Sequence, residues 1–148
     1  MTITLREINK DNWETVAKLS VHDEQKHFVA PNWYSMLEVI FLDSKMVSRG
    51  IYNDEELIGY AMIGQHPDDD VIFINRFMVD KAHQGKGYGR AAMEIIIESL
   101  TQQYQPEYID ITFEPENMVA RKLYESFGFV NTGELEEDEM VFRLPLIK

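Results

Sequence analysis

Residues 79–97, VDKAHQGKGYGRAAMEIII, decide how this chain is read. The stretch leaves a β-branched and aromatic segment, VIFINRFMV (71–79). It then crosses three alternating glycines, Gly85, Gly87 and Gly89, and enters an apolar run with the character of a buried helix. A helix N-terminus presents unpaired N–H groups and a partial positive charge, so a strand, a glycine-rich turn and a helix start together suit a pyrophosphate. Glycine lets the backbone approach phosphate oxygens with no Cβ in the way. The spacing excludes two cofactor classes, because QGKGYGR matches neither the Walker loop G-x-x-x-x-G-K-[ST] nor the dinucleotide fingerprint G-x-G-x-x-G. A turn whose glycines only permit close packing is the alternative.

Working outward, the chain alternates short strands and helices with no linker, repeat or low-complexity tract. Residues 2–8 alternate as a strand, and Asp11 with Glu14 three positions on reads as a capping box opening a first helix. Trp33, Met36, Leu37 and Ile40 recur at helical spacing and predict a second helix over 32–42. Strands are expected at 46–52 and 57–64, joined by the polar turn NDEE, and at 71–79. The helix after the glycines carries Ala92, Met93, Ile96, Ile97 and Leu100 on one face, and another strand follows at 108–113. Asn117 caps a last helix whose stripe is Ala120, Leu123, Tyr124 and Phe127, with Gly128 at the C′ position. Strands near 129–134 and 140–146 flank the acidic turn ELEEDE. The expected order is β-α-α-β-β-β-α-β-α-β-β, an α/β fold with a mixed sheet flanked by helices, in a single domain over 1–148.

Composition narrows the function classes. At 148 residues, 45% hydrophobic and 27% charged, the chain reads as a globular protein. No apolar run approaches the roughly 18 residues of a membrane span, and the first residues lack the apolar centre of a signal peptide, so a cytoplasmic protein is expected. With no cysteine, disulfides, thiolate metal sites and a cysteine acyl-enzyme are excluded. The formal charge of −12 argues against DNA or RNA as a ligand and favours a cationic partner. His22, His27, His66 and His83 share no metal-ligand spacing; they are taken as surface residues, and no metal is expected.

With these residues in view, VDKAHQGKGYGRAAM resembles the Q/R-x-x-G-x-G/A motif of the GNAT superfamily of acetyl-coenzyme A dependent N-acetyltransferases, with Gln84, Gly87 and Gly89 at its named positions. ENMVARKLYESFGF (116–129) is similar to that superfamily's second signature. Within the superfamily, FVAPNWYS, NRFMVD and FGFVNTGELEEDE are similar to bacterial spermine/spermidine acetyltransferases. The resemblance implies a GNAT-type sheet whose glycine-loop strand splays from its neighbour. It implies that the Phe77 N–H meets the thioester oxygen and that Met78 and Val79 line the pantetheine arm. It further places the pyrophosphate on the backbone N–H groups of Gly85, Gly87, Gly89 and Arg90, with Gln84 and Asn117 also among the cofactor-binding residues. The side chains of Lys86 and Arg90 add charge near the phosphates or are ordinary solvated cations.

By the same resemblance Tyr124 is the proton donor to the departing thiolate, although its spacing equally fits a core aromatic. The acceptor must also lose a proton: an alkylammonium of pKa ~10.4 costs roughly 4 to 5 kcal/mol to deprotonate near neutral pH. Relatives often carry a carboxylate where this chain has Asn75, and an amide is no base. Glu114 is the expected substitute, acting through water, or else a solvated strand end. Asp23 and Glu24, Asp68 to Asp70, and Glu134 to Glu139 form acidic clusters that either gather polycations or are simply solvated. Trp33 and Asn75 complete the expected acceptor site. The resemblance implies a polyamine acceptor such as spermine or spermidine and a homodimer. The alternatives are another small amine, an amino acid, a protein N-terminus, or a non-catalytic acyl-coenzyme A sensor.

Overall fold

A computed structural model describes residues 1–42, 45–66 and 68–146. Its elements run β1 (Ile3–Glu7), α1 (Trp13–Lys18), α2 (Asn32–Phe41), β2 (Met46–Asn53), β3 (Glu56–Gln65), β4 (Ile72–Val79), α3 (Tyr88–Tyr104), β5 (Tyr108–Phe113), α4 (Met118–Ser126), β6 (Val130–Glu136) and β7 (Glu139–Pro145). This is the expected order. Short 3-10 turns at Asp23–Gln25 and Lys81–His83 are added to it. The strands form one sheet, β1-β2-β3-β4-β5-β7-β6, antiparallel throughout except for the parallel β4–β5 pair that α3 connects. Among the described residues no helix is long and apolar enough to cross a membrane.

Strand alternation sends side chains to two cores. Ile51, Ile74, Ile109 and Ile111 face Met93, Ile96 and Leu100 of α3, together with Tyr124 of α4. Tyr60, Met62, Phe73 and Met78 face Val16 of α1, with Met36 and Val39 of α2 packed alongside. The last helix ends in a Schellman motif: the Gly128 N–H bonds the Glu125 carbonyl (3.0 Å) and the Phe129 N–H bonds the Tyr124 carbonyl (3.2 Å).

Two local expectations are corrected. Asn12, not Asp11, occupies the N-cap of α1 and makes no side-chain bond to the helix. Asn9 Oδ1 instead accepts the N–H groups of Asp11 (2.8 Å) and Asn12 (3.2 Å), an Asx turn that competes with the capping box, while Glu14 pairs with Lys18. The second correction concerns α2, whose buried positions are Asn32 and Ser35. Trp33, Ile40 and Phe41 are 52%, 68% and 75% exposed. A helix that is apolar nearly all round does not declare its inward face by periodicity, and here the Asn32 amide decides it by donating to the Val16 carbonyl (2.9 Å).

One irregularity positions everything that follows. Arg76 pairs with Met62 and Ile74 with Ile63, so Asn75 is an extra residue, a β-bulge in β4. Before it, Ile72 and Ile74 face the α3 core and Phe73 the α2 core; after it the parity is reversed, with Phe77 against the α3 core and Met78 against the other. The parallel pairing of β4 with β5 ends at the same place, covering only Ile72–Ile74 against Ile109–Ile111. Beyond the bulge β4 keeps β3 alone. The Asp80 N–H bonds the Ile58 carbonyl (2.7 Å), and the alternation of an antiparallel ladder then turns the peptide groups of Val79 and Phe77 away from β3, into the gap.

Gly59 permits this close pairing, since a Cβ there would collide with the Met78 carbonyl oxygen and press on Ile51. Gly59→Ala is therefore expected to destabilise the protein by about 1–3 kcal/mol, through a backbone shift that a small side chain cannot absorb. Urea denaturation of the purified variant measures it as a lowered midpoint at unchanged m-value.

Candidate functional site

Two cavities open where β4 leaves β5. The smaller, about 220 Å³, runs between the end of β4, the glycine loop and α4, lined by Val21, Phe28, Phe77, Met78, Val79, Gln84, Gly85, Gly89, Asn117, Leu123 and Tyr124. The larger, about 700 Å³, lies between β4, β5, the α1–α2 connection and the β6–β7 hairpin. Phe28, Val29, Phe77, Asn117 and Tyr124 line both, so the cavities share a wall at these residues. A chain laid in the first can bring its end to the mouth of the second.

Gly85 and Gly87 both adopt left-handed backbone angles, φ +77° and +84°, and a Cβ on either would meet nothing within 4 Å. Only glycine holds that conformation without strain. Gly87 is the N-cap of α3, and the Ala91 N–H is bonded back to its carbonyl (3.2 Å). The N–H groups before Ala91 therefore have no intrahelical acceptor and leave an anion-binding end. Tyr88 fixes this end by accepting a bond from Asn53 Nδ2 (3.1 Å). Lys86 is exposed. Arg90 is committed to α4, donating to Ser126 Oγ (2.6 Å) and lying over the Phe127 ring. Gln84 turns inward: its amide donates to the Val79 carbonyl (2.9 Å) and to Gln25 Oε1 (3.0 Å). The glycine loop is thereby tied to the α1–α2 connection.

Tyr124 is 5% exposed, edge-on to Phe113 (5.2 Å) and Phe129 (6.0 Å). Burial pushes its phenol well above the ordinary range, and the charge of Glu139 adds to the shift, so the hydroxyl stays protonated at neutral pH. Asn117 caps α4 by accepting the Ala120 N–H (3.2 Å), as its N-cap reading expects, and it lines both cavities.

The larger cavity is acidic. Glu38, Asp68, Glu114, Glu136, Glu137 and Glu139 line it, against the single guanidinium of Arg76 and the imidazoles of His27 and His66. The bulge brings Asn75 and Arg76 to this wall together, and Arg76 donates to the Asn75 carbonyl (3.1 Å) and side-chain oxygen (2.9 Å). Its other arm stands 3.7 Å from Glu38, leaving Arg76 Nε and Glu38 Oε1 buried without hydrogen-bond partners.

Other expected acceptor residues lie elsewhere. Asp23 and Glu24 are exposed on the turn after α1 and line neither cavity, and Asp23 is paired with Lys26 (2.9 Å). Trp33 borders a separate apolar groove between α1, α2 and β2. Two histidines expected at the surface are largely covered, with side chains 14% (His66) and 16% (His83) exposed. His66 accepts the Asp68 N–H at Nδ1 (3.1 Å), which leaves Nε2 to donate to Glu136 (2.8 Å) across the cavity rim. Glu38, Arg76 and His66 carried no signal in sequence. Alternation alone would turn Arg76 away from its neighbours, and only the bulge reverses that.

A sequence model of the Acetyltransferase (GNAT) family matches residues 4–129. The chain is 29% identical over 146 residues to a probable spermine N(1)-acetyltransferase of Bacillus subtilis subsp. natto, covering 92% of this chain and 93% of that one. Among solved structures it superimposes on aminoglycoside acetyltransferase AAC(6')-Ib in complex with coenzyme A with a TM-score of 0.79, at 18% identity over 97% of this chain and 95% of the other. It also superimposes on spermidine N-acetyltransferase from Vibrio cholerae, in complex with coenzyme A and spermine, with a TM-score of 0.72, at 19% identity over 95% and 92%.

Gln84 joins the loop to the wall that both cavities share, so its loss should be felt at a distance. Gln84→Leu is expected to raise amide hydrogen exchange across residues 22–29 roughly threefold to tenfold, the loss of about one net hydrogen bond, without lowering global stability to the same extent. Exchange followed by mass spectrometry, with α3 as the internal reference, measures it.

Proposed function

The chain belongs to the Acetyltransferase (GNAT) family, and from that premise we propose that it is a cytoplasmic enzyme of one catalytic domain that moves the acetyl group of acetyl-coenzyme A directly to a primary amine of a polyamine such as spermidine or spermine. The observation that carries the acceptor class is the acidic cavity meeting the β4 cleft at Phe77 and Tyr124. Carboxylates on several of its walls favour a ligand with more than one ammonium group. The polyamine-acetylating relative and the neighbour bound to spermine support the same reading.

The residues present fit coenzyme A. The loop is open at Gly85 and Gly87, the peptide groups of Phe77 and Val79 face the gap, and the α3 N-terminus follows directly on the loop at Gly87. In this proposal Gly85, Gly87, Gly89 and Arg90 hold the pyrophosphate by their N–H groups, and Met78 and Val79 hold the pantetheine arm. The Phe77 N–H meets the thioester oxygen. Acetyl-coenzyme A supplies an activated acyl group whose sulfur requires a proton on leaving. Tyr124 stands at the shared wall to give it, its raised phenol matched to a thiolate made more basic by the same desolvation. Glu114, also on the cavity wall, is available to a water chain. The homodimer implied by the resemblance remains part of the proposal, with the outward apolar face of α2 as its supporting surface.

A second acceptor class is favoured by one observation. Arg76 Nε is buried in the cavity wall without a partner, so an amine that also carries a carboxylate has a counter-charge waiting. Turnover with acetyl-coenzyme A over a panel of polyamines, monoamines and amino acids decides between the two.

Three variants test the roles. Gly89 has ordinary helical space around it, a Cβ there standing 4.0 Å from the nearest side-chain atoms, and an acidic residue suits a helix first turn. Gly89→Asp should therefore fold normally yet abolish coenzyme A binding in calorimetry, because its charge occupies the anion site. Tyr124→Phe should lower kcat by roughly 10²-fold with coenzyme A affinity retained. The double change Glu136→Gln with Glu137→Gln should raise the spermine KM about threefold to tenfold while leaving a monoamine of similar length unchanged, since exposed ion pairs contribute about 0.2–1 kcal/mol each. Added salt should shrink that difference. Equal kcat/KM for monoamine and polyamine at low salt would remove the polyamine assignment and leave the acetyltransferase.

A further inference from the structure

The bond between His66 and Glu136 joins strands that the sheet keeps apart. β4, β5 and β7 lie between β3, which His66 follows, and β6, which Glu136 ends. Four strand spacings amount to roughly 19 Å in a flat sheet, yet His66 Nε2 stands 2.8 Å from the Glu136 carboxylate. The β6–β7 tip therefore leans out over the face of the sheet, and the bond closes across the acidic cavity that both residues line. We propose that His66 is a positioning residue for the acceptor: it holds this tip and its carboxylates against the cavity, and so sets the preference for a polyamine over a monoamine. The assignment deepens the polyamine reading above and rests on it.

The sequence makes the tip easy to bend and hard to hold. Between the register pairs Asn131–Phe142 and Leu135–Met140, β6 advances four residues while β7 advances two. Such a surplus bends the strand that carries it. The side-chain bonds in the bend, from the Thr132 hydroxyl to the Val141 carbonyl (2.8 Å) and from the Gly133 N–H to Asn131 Oδ1 (2.8 Å), stay inside the hairpin. Beyond the bend only Leu135–Met140 and Glu136–Glu139 are paired, and the second pair sets two carboxylates opposite each other, which is destabilising. The closing residues Glu137 and Asp138 have φ of +48° and +71°, a two-residue turn geometry that favours Asn-Gly, and neither is a glycine. The bond from His66 ties this weakly supported tip to the opposite side of the cavity.

The donor itself is firmly placed. The His66 N–H bonds the Val71 carbonyl (2.8 Å) and closes the turn between β3 and β4. Inside the turn Asp69 Oδ1 accepts the Val71 N–H (2.9 Å) and Asp70 Oδ1 accepts the Gln65 amide (2.6 Å), so two aspartates of the Asp68–Asp70 cluster serve the loop. The Asp68 N–H donates to His66 Nδ1 (3.1 Å), which puts the hydrogen of the neutral imidazole on Nε2, facing Glu136. The ring packs on Phe73 with centroids 4.9 Å apart. Glu136 thus differs from the exposed Glu137 and Asp68 of the same cavity in having a fixed donor. A carboxylate and a tip ordered beforehand spare the ligand the cost of ordering them. That advantage requires ammonium groups beyond the one being acetylated, so it falls on a polyamine and is expressed in KM.

The test measures kcat and KM for spermidine and for a monoamine of similar length at low salt, with amide exchange across residues 134–139. It compares wild type with His66→Asn, His66→Gln and Glu136→Ala. Asn can still accept the Asp68 N–H but is too short to reach Glu136, whereas Gln carries an amide N–H near the place of Nε2. His66→Asn is expected to lower the spermidine-to-monoamine ratio of kcat/KM about threefold to tenfold, through KM with kcat retained, and to speed exchange in the tip. His66→Gln should stay within about twofold of wild type, since it restores the donor. Because His66 acts through Glu136, Glu136→Ala should lower the ratio at least as far, and adding His66→Asn to it should lower it no further. A His66→Asn protein with the wild-type ratio, one whose loss persists in full beside Glu136→Ala, or a His66→Gln protein no better than His66→Asn overturns the role of His66. NMR of the labelled imidazole in the wild-type protein needs no variant to fold: a proton on Nε2 is expected, and one on Nδ1 overturns the bond. Equal kcat/KM for spermidine and the monoamine in wild type overturns the polyamine reading instead.

Discussion

Asn75 has no register partner on β3, and the surplus of one residue there organises the molecule. A strand in a central position normally spends its peptide groups on two neighbours. The bulge bends β4 so that its parallel pairing with β5 stops at Ile74, and it leaves Phe77 and Val79 with peptide groups turned toward a gap. Unpaired backbone groups in a sheet interior are costly unless something else satisfies them. Here the Gln84 amide takes the Val79 carbonyl (2.9 Å), and the remaining groups face a cleft of about 220 Å³ that an extended polar ligand can fill as a strand would. The cleft is thus a strand pairing that the fold has left incomplete.

The same surplus residue reverses the parity of β4 and so decides which side chains meet. Phe77 joins the α3 core, while Asn75 and Arg76 come to one cavity wall. From the other side α4 brings Tyr124, held by backbone bonds at its end through Gly128 and Phe129 and by the Asn117 cap at its start. The Asn117 cap and the Tyr124 ring belong to one short helix, so the two cavities that share these residues as a wall are aligned by a rigid element. In the proposed function, a one-residue insertion in that helix would misplace the phenol by far more than proton transfer tolerates.

Legibility in the sequence followed the range of the physics involved. Capping at Asn117, the Gly128 terminus and the open glycine loop depend on neighbours within a few positions, and each stands where the residues put it. The burial of Glu38, Arg76 and His66 depends on tertiary placement, and none of it could be read from spacing. The acidic clusters show the limit most directly. ELEEDE supplies Glu136, Glu137 and Glu139 to the cavity, whereas the equally acidic Asp23 and Glu24 are exposed on the turn after α1 and line neither cavity. Charge composition gives the sign of the field but not its focus. The α2 stripe makes the same point for apolar residues, because Trp33, Leu37 and Ile40 have helical spacing and yet face outward.

Desolvation links the two halves of the site. A cavity walled by carboxylates repels itself, and its charges are tolerable only if some are solvated, some are paired, and some are held closer to neutrality. The structure divides them in that way: Glu137 is exposed, Glu136 is engaged by His66, and Glu139 is buried enough that its carboxyl rises. An incoming cation relieves the repulsion on all of them at once, which favours binding of a multiply charged ligand over the sum of separate ion pairs. The same positive charge favours the ionised form of Glu139 and of the Tyr124 phenol directly, whereas a more fully ionised Glu139 opposes ionisation of the phenol. In the proposed acetyl transfer, proton donation by Tyr124 is therefore set by the balance between the positive charge of the bound amine and the negative charge of Glu139.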